Sequence, residues 1–304
     1  MTHYQLVASN KQKSLVVIIS FIAFILFAAY FIMEGFGYGL DVMGFALIFA
    51  GISSFGSYYF SDTIILGLSG AREAKRAEFF DFYTVAENLA NSQKMPIPKL
   101  YVIDDTAMNA FATGRDPQHA VVCATTGLLS KLNRREIEGV VAHELSHVQN
   151  YDIRLMSLVT IMVGFISLLA DWVLRMSYWG GGRKRNDRDG DSQLQTIFLV
   201  VGMILALLSP LIAQLIKLAI SRKREFLADA SAVAMTKNPQ GMIDALQKLG
   251  TDREPLEAAN KATAHLYITN PLKNAHGGIG MFSNLFATHP PLSERIKSLQ
   301  EITR

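Results

Sequence analysis

A single cysteine, Cys123, leaves this chain no intramolecular disulfide. Its apolar flanks, Ala120-Val121-Val122 and Ala124-Thr125, read as a buried strand carrying a small core thiol. Lack of disulfides fits a reducing compartment. Charge is scarce too: 18% of the 304 residues are Asp, Glu, Lys or Arg, and the net charge is +3. With no basic stripe interleaved with aromatics, that balance argues against nucleic acid as a partner. Internal repeats are missing, and no feature fixes an oligomeric state. What fills the space is hydrophobicity. Half of the residues are apolar and the mean hydropathy is +0.23, so a membrane protein is the first reading.

The chain opens with a polar stretch, 1–13, that includes Lys11 and Lys13. An apolar run follows from Leu15 to Met33, long enough to span a hydrocarbon core of about 30 Å. A signal peptide is the competing reading. The run exceeds the usual apolar segment of about 7–15 residues and no small-x-small cleavage site follows it, so a retained anchor is favoured. The turn from Glu34 to Asp41 has no Lys or Arg, and a second apolar run covers Val42 to Phe60. Gly44, Gly51, Ser53, Gly56 and Ser57 give it a small-residue face suited to close helix packing. The two runs read as a transmembrane hairpin, residues 1–60. Lys11 and Lys13 before it, with Arg72, Lys75 and Arg76 after it, place both ends in the cytoplasm.

Residues 61–153 read as the first part of a soluble domain. Ala71 to Ala90 is helix-like, ended by Pro96 and Pro98. Three strand-like runs follow, Leu100–Ile103, Asn109–Thr113 and Ala120–Ala124, separated by turn residues. They predict a small antiparallel sheet. Residues 154–220 form a second hydrophobic hairpin: apolar runs at Leu155–Ala170 (extending to Leu174 past Asp171) and Ile197–Ala213, joined by a Gly-rich charged loop at Gly180–Asp191. Both runs either cross the bilayer or enter it in part. Either way, the segments before and after the hairpin end on the same side. Residues 221–304 complete the soluble part, with a basic cluster Arg222-Lys223-Arg224 suited to snorkel at the membrane surface. Helix-like segments come at Gln240–Leu249 and Leu256–Tyr267, a Gly-rich loop near Gly277, and a terminal helix after Pro290-Pro291. The fold class expected is a mainly α integral membrane protein: about four transmembrane or hydrophobic helices plus a cytoplasmic zincin-like α+β domain with a small sheet.

The chemistry centres on His143-Glu144-Leu145-Ser146-His147. Residues four apart share one helix face, so His143 and His147 could hold one zinc ion, with Glu144 beside them to take a proton from a metal-bound water. Ile137, Val140, Val141 and Leu145 are spaced to bury one side of such a helix. A catalytic zinc takes three protein ligands. Glu225, on a helix leaving the second hairpin, is the candidate for the third, the competing reading being an ion pair with Arg222 or Arg224. Asp229, one turn on, is placed to accept the outer N–H of a ligand histidine.

These residues resemble the M48 (Ste24/HtpX-like) zinc metalloproteases, and specifically the HtpX type. The resemblance rests on His143-Glu144-x-x-His147 followed by Asn150 and Asp152, on Glu225-Phe226-x-Ala228-Asp229, on the strand Asn109-Ala110-Phe111-Ala112-Thr113-Gly114, and on His289-Pro290-Pro291 with Arg295. It implies one zinc per chain held by His143, His147 and Glu225, with Glu144 as general base. The same resemblance makes Asn109, Ala110 and Phe111 a strand at the cleft, where an extended peptide could pair. It brings His289 and Arg295 to the cleft as candidate oxyanion donors. The implied activity is endoproteolysis at the cytoplasmic face of a bacterial-type plasma membrane, acting on misfolded or damaged membrane proteins. Two other functions stay open. A CAAX-type prenyl-protein protease needs a larger chamber of seven spans than four apolar runs provide. A non-enzymatic metal-binding scaffold would want a closed site of four protein ligands, and no fourth is evident.

Overall fold

The computed structural model describes residues 3–36, 41–165, 222–258, 263–269, 271 and 290–302. The first helix runs His3–Phe36 and is long and apolar enough to cross a membrane over Val7–Phe27, earlier in the chain than the expected Leu15–Met33. The second, Asp41–Tyr59, packs back along it. The helix at residues 152–165 closes a three-helix contact with this pair. Val17, Phe21 and Ile25, Ala50, and Leu155, Val159 and Met162 form one apolar cluster. The opposite faces expose Leu15, Ile19, Phe45, Ile48, Ile52 and Phe55, a larger apolar area than a water-facing surface ordinarily carries. Among the described residues, the glycines of the small-residue face of the second helix pack against nothing. A Cβ at Gly44, Gly51 or Gly56 would meet nothing within 4 Å, whereas Ala46, Ala50 and Ser54, spaced four apart, are the positions turned inward.

The soluble part is built on a four-stranded sheet: β1 (Arg72–Glu73), β2 (Lys99–Ile103), β3 (Ala110–Gly114) and β4 (Ala120–Thr125), in the order β1-β2-β4-β3. The sheet is mixed, which corrects the antiparallel expectation. β4 turns back from β3 and inserts between it and β2, so it pairs antiparallel with one and parallel with the other. All six β4 residues are buried, as a central strand requires. β1 replaces the start of the helix expected from Ala71. Arg72 donates to Asp104 (2.8 Å) and to Glu78 (2.8 Å), which holds Arg72–Glu73 extended beside β2, and the helix begins only at Phe80, ending at Ser92.

Against this sheet lies the helix Arg134–Gln149, opened by a capping box in which Asn133 and Glu136 exchange side-chain and backbone hydrogen bonds. Ile137, Val140, Val141 and Leu145 are buried as their spacing predicts. Pro239–Thr251 crosses the same helix with almost no gap. A Cβ on Gly139 would fall 2.9 Å from the Met242 backbone, and one on Gly241 would fall 2.6 Å from the Arg135 carbonyl. The terminal helix Leu292–Ile302 starts after the prolines as expected. The expected helix at Leu256–Tyr267 is absent among the described residues. They show a short 3-10 turn at Ala264–Leu266, after which Ile268 N–H donates to the Ala110 carbonyl of β3 (3.0 Å). The Gly180–Asp191 loop, the run Ile197–Ala213, the Gly277 loop and His289 lie outside the described residues.

Candidate metal centre

The Arg134–Gln149 helix carries His143 and His147 on one face, and the helix Arg222–Thr236 lies beside it with the small residues Ala228 and Ala232 fully buried at the contact. That close approach brings Glu225 against the histidine pair. His143 Nε2 and His147 Nε2 are 3.2 Å apart; each is 3.6 Å from a Glu225 oxygen. A tetrahedral zinc with bonds of about 2.0–2.1 Å separates its ligand atoms by about 3.3 Å, so the donor set and its spacing fit that ion. All three residues are buried.

The outer nitrogens are also engaged. His143 Nδ1 is 2.9 Å from Asp229 Oδ1, and His147 Nδ1 is 3.0 Å from Asp152 Oδ2. Each ring is thereby turned so that Nε2 faces the common centre, the arrangement by which a carboxylate fixes tautomer and orientation of a metal-ligating histidine. Asp229 was legible from its position one turn beyond Glu225. Asp152 was noted in the sequence without a role. It reaches His147 because Tyr151 adopts a left-handed conformation (φ 60°) just past the helix end, turning the chain back on itself.

Charges around the centre are balanced pairwise. Burial opposes ionisation of Asp229, but the Arg295 guanidinium and His143 outweigh it and hold the carboxyl at about 2. Burial and Arg295 disfavour a charged His143, yet Asp229 and Glu225 win and its pKa is raised to about 9. Burial likewise disfavours a charged His147, but Asp152 and Glu225 prevail and raise its pKa. Glu144, next to His143 and buried, contributes its negative field to Arg295. Cys123 is buried, and burial pushes its thiol up, as befits an inert core residue.

Three expectations change. Arg295 does not offer its guanidinium to a cleft. It is fully buried, with Nε and Nη2 donating to both Asp229 oxygens (2.8 and 2.6 Å) and Nη1 to the Ile268 carbonyl. It locks the carboxylate that holds His143. Arg224 does not snorkel: it turns inward, 3.2 Å from Asp152, while Arg222 and Lys223 stay exposed. Asn109 is not open to a substrate in this conformation. Its Nδ2 donates to the Thr269 carbonyl and its Oδ1 accepts from Thr269 N–H. Ala110 is paired to Ile268 as above, and Phe111 is buried edge-on against Tyr267.

This geometry can be set beside known proteins. A family model described as Peptidase family M48 matches residues 77–303, most of the chain. The chain belongs to peptidase family M48. Its M48 relatives include the Protease HtpX homolog of Streptococcus uberis, 41% identical over 98% of this chain and 99% of that one. The Protease HtpX homolog of Caldanaerobacter subterraneus is also 41% identical, over 99% of this chain and 98% of its own. Among solved structures the fold resembles that of S. mikatae Ste24p, with a TM-score of 0.51 and 20% identity, covering 97% of this chain and 67% of the other. As an M48 protein of the HtpX type, the chain is a metalloprotease. The helix-rich architecture with its small mixed sheet agrees with that family.

Proposed function

We propose that this M48 protein is a zinc endopeptidase whose centre is held by His143, His147 and Glu225 and whose general base is Glu144. The observation that carries the reading is the convergence of three donor atoms from two helices, with both histidines oriented from behind by Asp229 and Asp152. When bound there, zinc would supply Lewis acidity to a scissile carbonyl and lower the pKa of a water towards about 7. The chain's own residues do the rest. Glu144 takes the proton of the attacking water and returns it to the departing amine. The buried carboxylates keep both imidazoles aimed inward, and Arg295 keeps Asp229 ionised.

The setting supports a membrane-surface enzyme. The site lies where the long apolar first helix meets the soluble part, with Asn10 of that helix 2.7 Å from Asp152. The basic residues flanking the apolar hairpin favour a cytoplasmic orientation. Four apolar runs, paired as 1–60 and 154–220, would anchor a catalytic domain split between 61–153 and 221–304. On this reading the substrates are membrane proteins presented in extended form, misfolded or damaged, and the role is quality control. Pairing along β3 would first have to release the 267–269 segment from Ala110. The test is casein cleavage in detergent. Glu144→Gln should keep stoichiometric zinc and lose activity by at least about a thousandfold, since base and water activation act together. Wild-type rates in a zinc-loaded Glu144→Gln protein would end the proposal.

A further inference from the structure

We infer that Asn10, in the first apolar helix, is a positioning residue for the zinc ligand His147, acting through Asp152. The inference rests on the zinc-site reading above and goes beyond it. Asn10 is buried, 2% exposed, two turns before Val17, where the same helix enters an apolar cluster. A buried amide there is costly unless its hydrogen bonds are made, and all of its polar atoms are engaged. Nδ2 donates to Asp152 Oδ1 (2.7 Å) and to the Asn150 carbonyl (2.9 Å), while Oδ1 accepts from Arg224 Nη1 (3.0 Å).

Asp152 is therefore shared. One oxygen, Oδ2, faces His147 Nδ1 at 3.0 Å. The other, Oδ1, receives Asn10 and Arg224, at 2.7 and 3.2 Å. The carboxylate cannot rotate toward or away from His147 without breaking those two bonds. Asn150, which Asn10 also grips, caps the very helix that bears both histidines. Three separate parts of the chain meet here: the first apolar helix, the turn after the histidine helix, and the start of the Glu225 helix. Docking of the first helix thus completes the shell behind the metal, and the N-terminal segment is part of the centre as well as an anchor.

Partners behind a ligating histidine are typically worth about 10–100-fold in metal affinity. Asn10 stands one bond further out, so the lower end is expected. The experiment measures zinc release from the full-length protein in detergent to a chromophoric chelator, together with its melting temperature. Asn10→Leu keeps the approximate size but removes donor and acceptor alike. It should release zinc about tenfold faster, as should Asn10→Ala, which is smaller and carries the test if the leucine does not fold. Gln12→Ala, exposed on the same helix, should release zinc at the wild-type rate. Asp152→Asn should release it faster still, and adding Asn10→Ala to it should change nothing more, because the two act in series. Wild-type release from Asn10→Leu, or effects of Asn10→Ala and Asp152→Asn that multiply, would overturn the coupling while leaving the zinc site intact. A wild-type protein that holds no zinc would remove the metal centre itself, and this inference with it.

Discussion

Removing the Arg295 guanidinium should cost the protein both stability and metal. The residue is fully buried and forks onto both oxygens of Asp229, with a further bond to the Ile268 carbonyl. Arg295→Ala leaves Asp229 buried against a histidine and Glu225, its main counter-charge gone. Breaking a buried pair from one side typically costs about 3–5 kcal/mol, a large share of the roughly 5–15 kcal/mol that holds a domain together. In a domain of this size that corresponds to a fall in melting temperature on the order of 10 °C. The same change frees Asp229 to take a proton, which loosens its hold on His143 and weakens zinc. Arg295→Lys should recover only part, because an ammonium cannot reproduce the two-oxygen fork. Replacing both partners, Arg295→Met with Asp229→Leu, should restore most of the stability and none of the zinc affinity, since no buried charge then lacks its partner and no carboxylate holds His143. Thermal melts and zinc content of the four proteins decide it. An Arg295→Ala protein that melts normally and keeps its zinc, yet loses turnover, would refute the clamp and return Arg295 to the cleft as an oxyanion donor.

Three further outcomes follow from the same geometry. His143, raised to about 9 in the metal-free site, must give up a proton to bind zinc at neutral pH. Its charged form stabilises the metal-free fold below about pH 6.5, and that contribution fades as pH rises towards 9. Apparent zinc affinity should therefore climb about tenfold per pH unit between roughly pH 7 and 9, with at least one proton released per zinc by calorimetry in two buffers; an affinity flat with pH would contradict it. Gly139→Ala pushes a methyl group into the Met242 backbone and should destabilise by about 1–3 kcal/mol, read as a lowered denaturant midpoint, where an unchanged midpoint would mean the helix crossing is looser than described. Glu225→Ala should abolish stoichiometric zinc, and a variant that retains one zinc per chain would take Glu225 out of the ligand set.

How far the sequence foretold the site depends on distance along the chain. His143, Glu144 and His147 were legible because a helix brings residues four apart onto one face whatever surrounds it. Glu225 and Asp229 were legible for the same reason, one turn apart, once a hairpin could be inferred between the two helices. The sheet strands were found but not their order. Three short apolar runs do not say that the last inserts between the first two, and a strand as short and charged as Arg72–Glu73 has no periodicity to detect. Arg224 was misjudged because a basic cluster after an apolar run looks alike whether its members face lipid headgroups or a buried carboxylate. Asn109 and Arg295 were assigned to the substrate side because nothing local reveals that Thr269 and Asp229 would claim them. Asn10 carried one signal, a polar side chain where an apolar helix begins, but its partners lie far along the chain and only the fold brings them together.

The most direct measurement is zinc-edge X-ray absorption on the metal-loaded, full-length protein. The account predicts about one zinc per chain in a four-coordinate shell of nitrogen and oxygen at roughly 2.0–2.1 Å, with the multiple-scattering pattern of two imidazoles. Glu225→Ala should lose that signal. Sulfur at about 2.3 Å, a single imidazole, or an unchanged spectrum without Glu225 would contradict it.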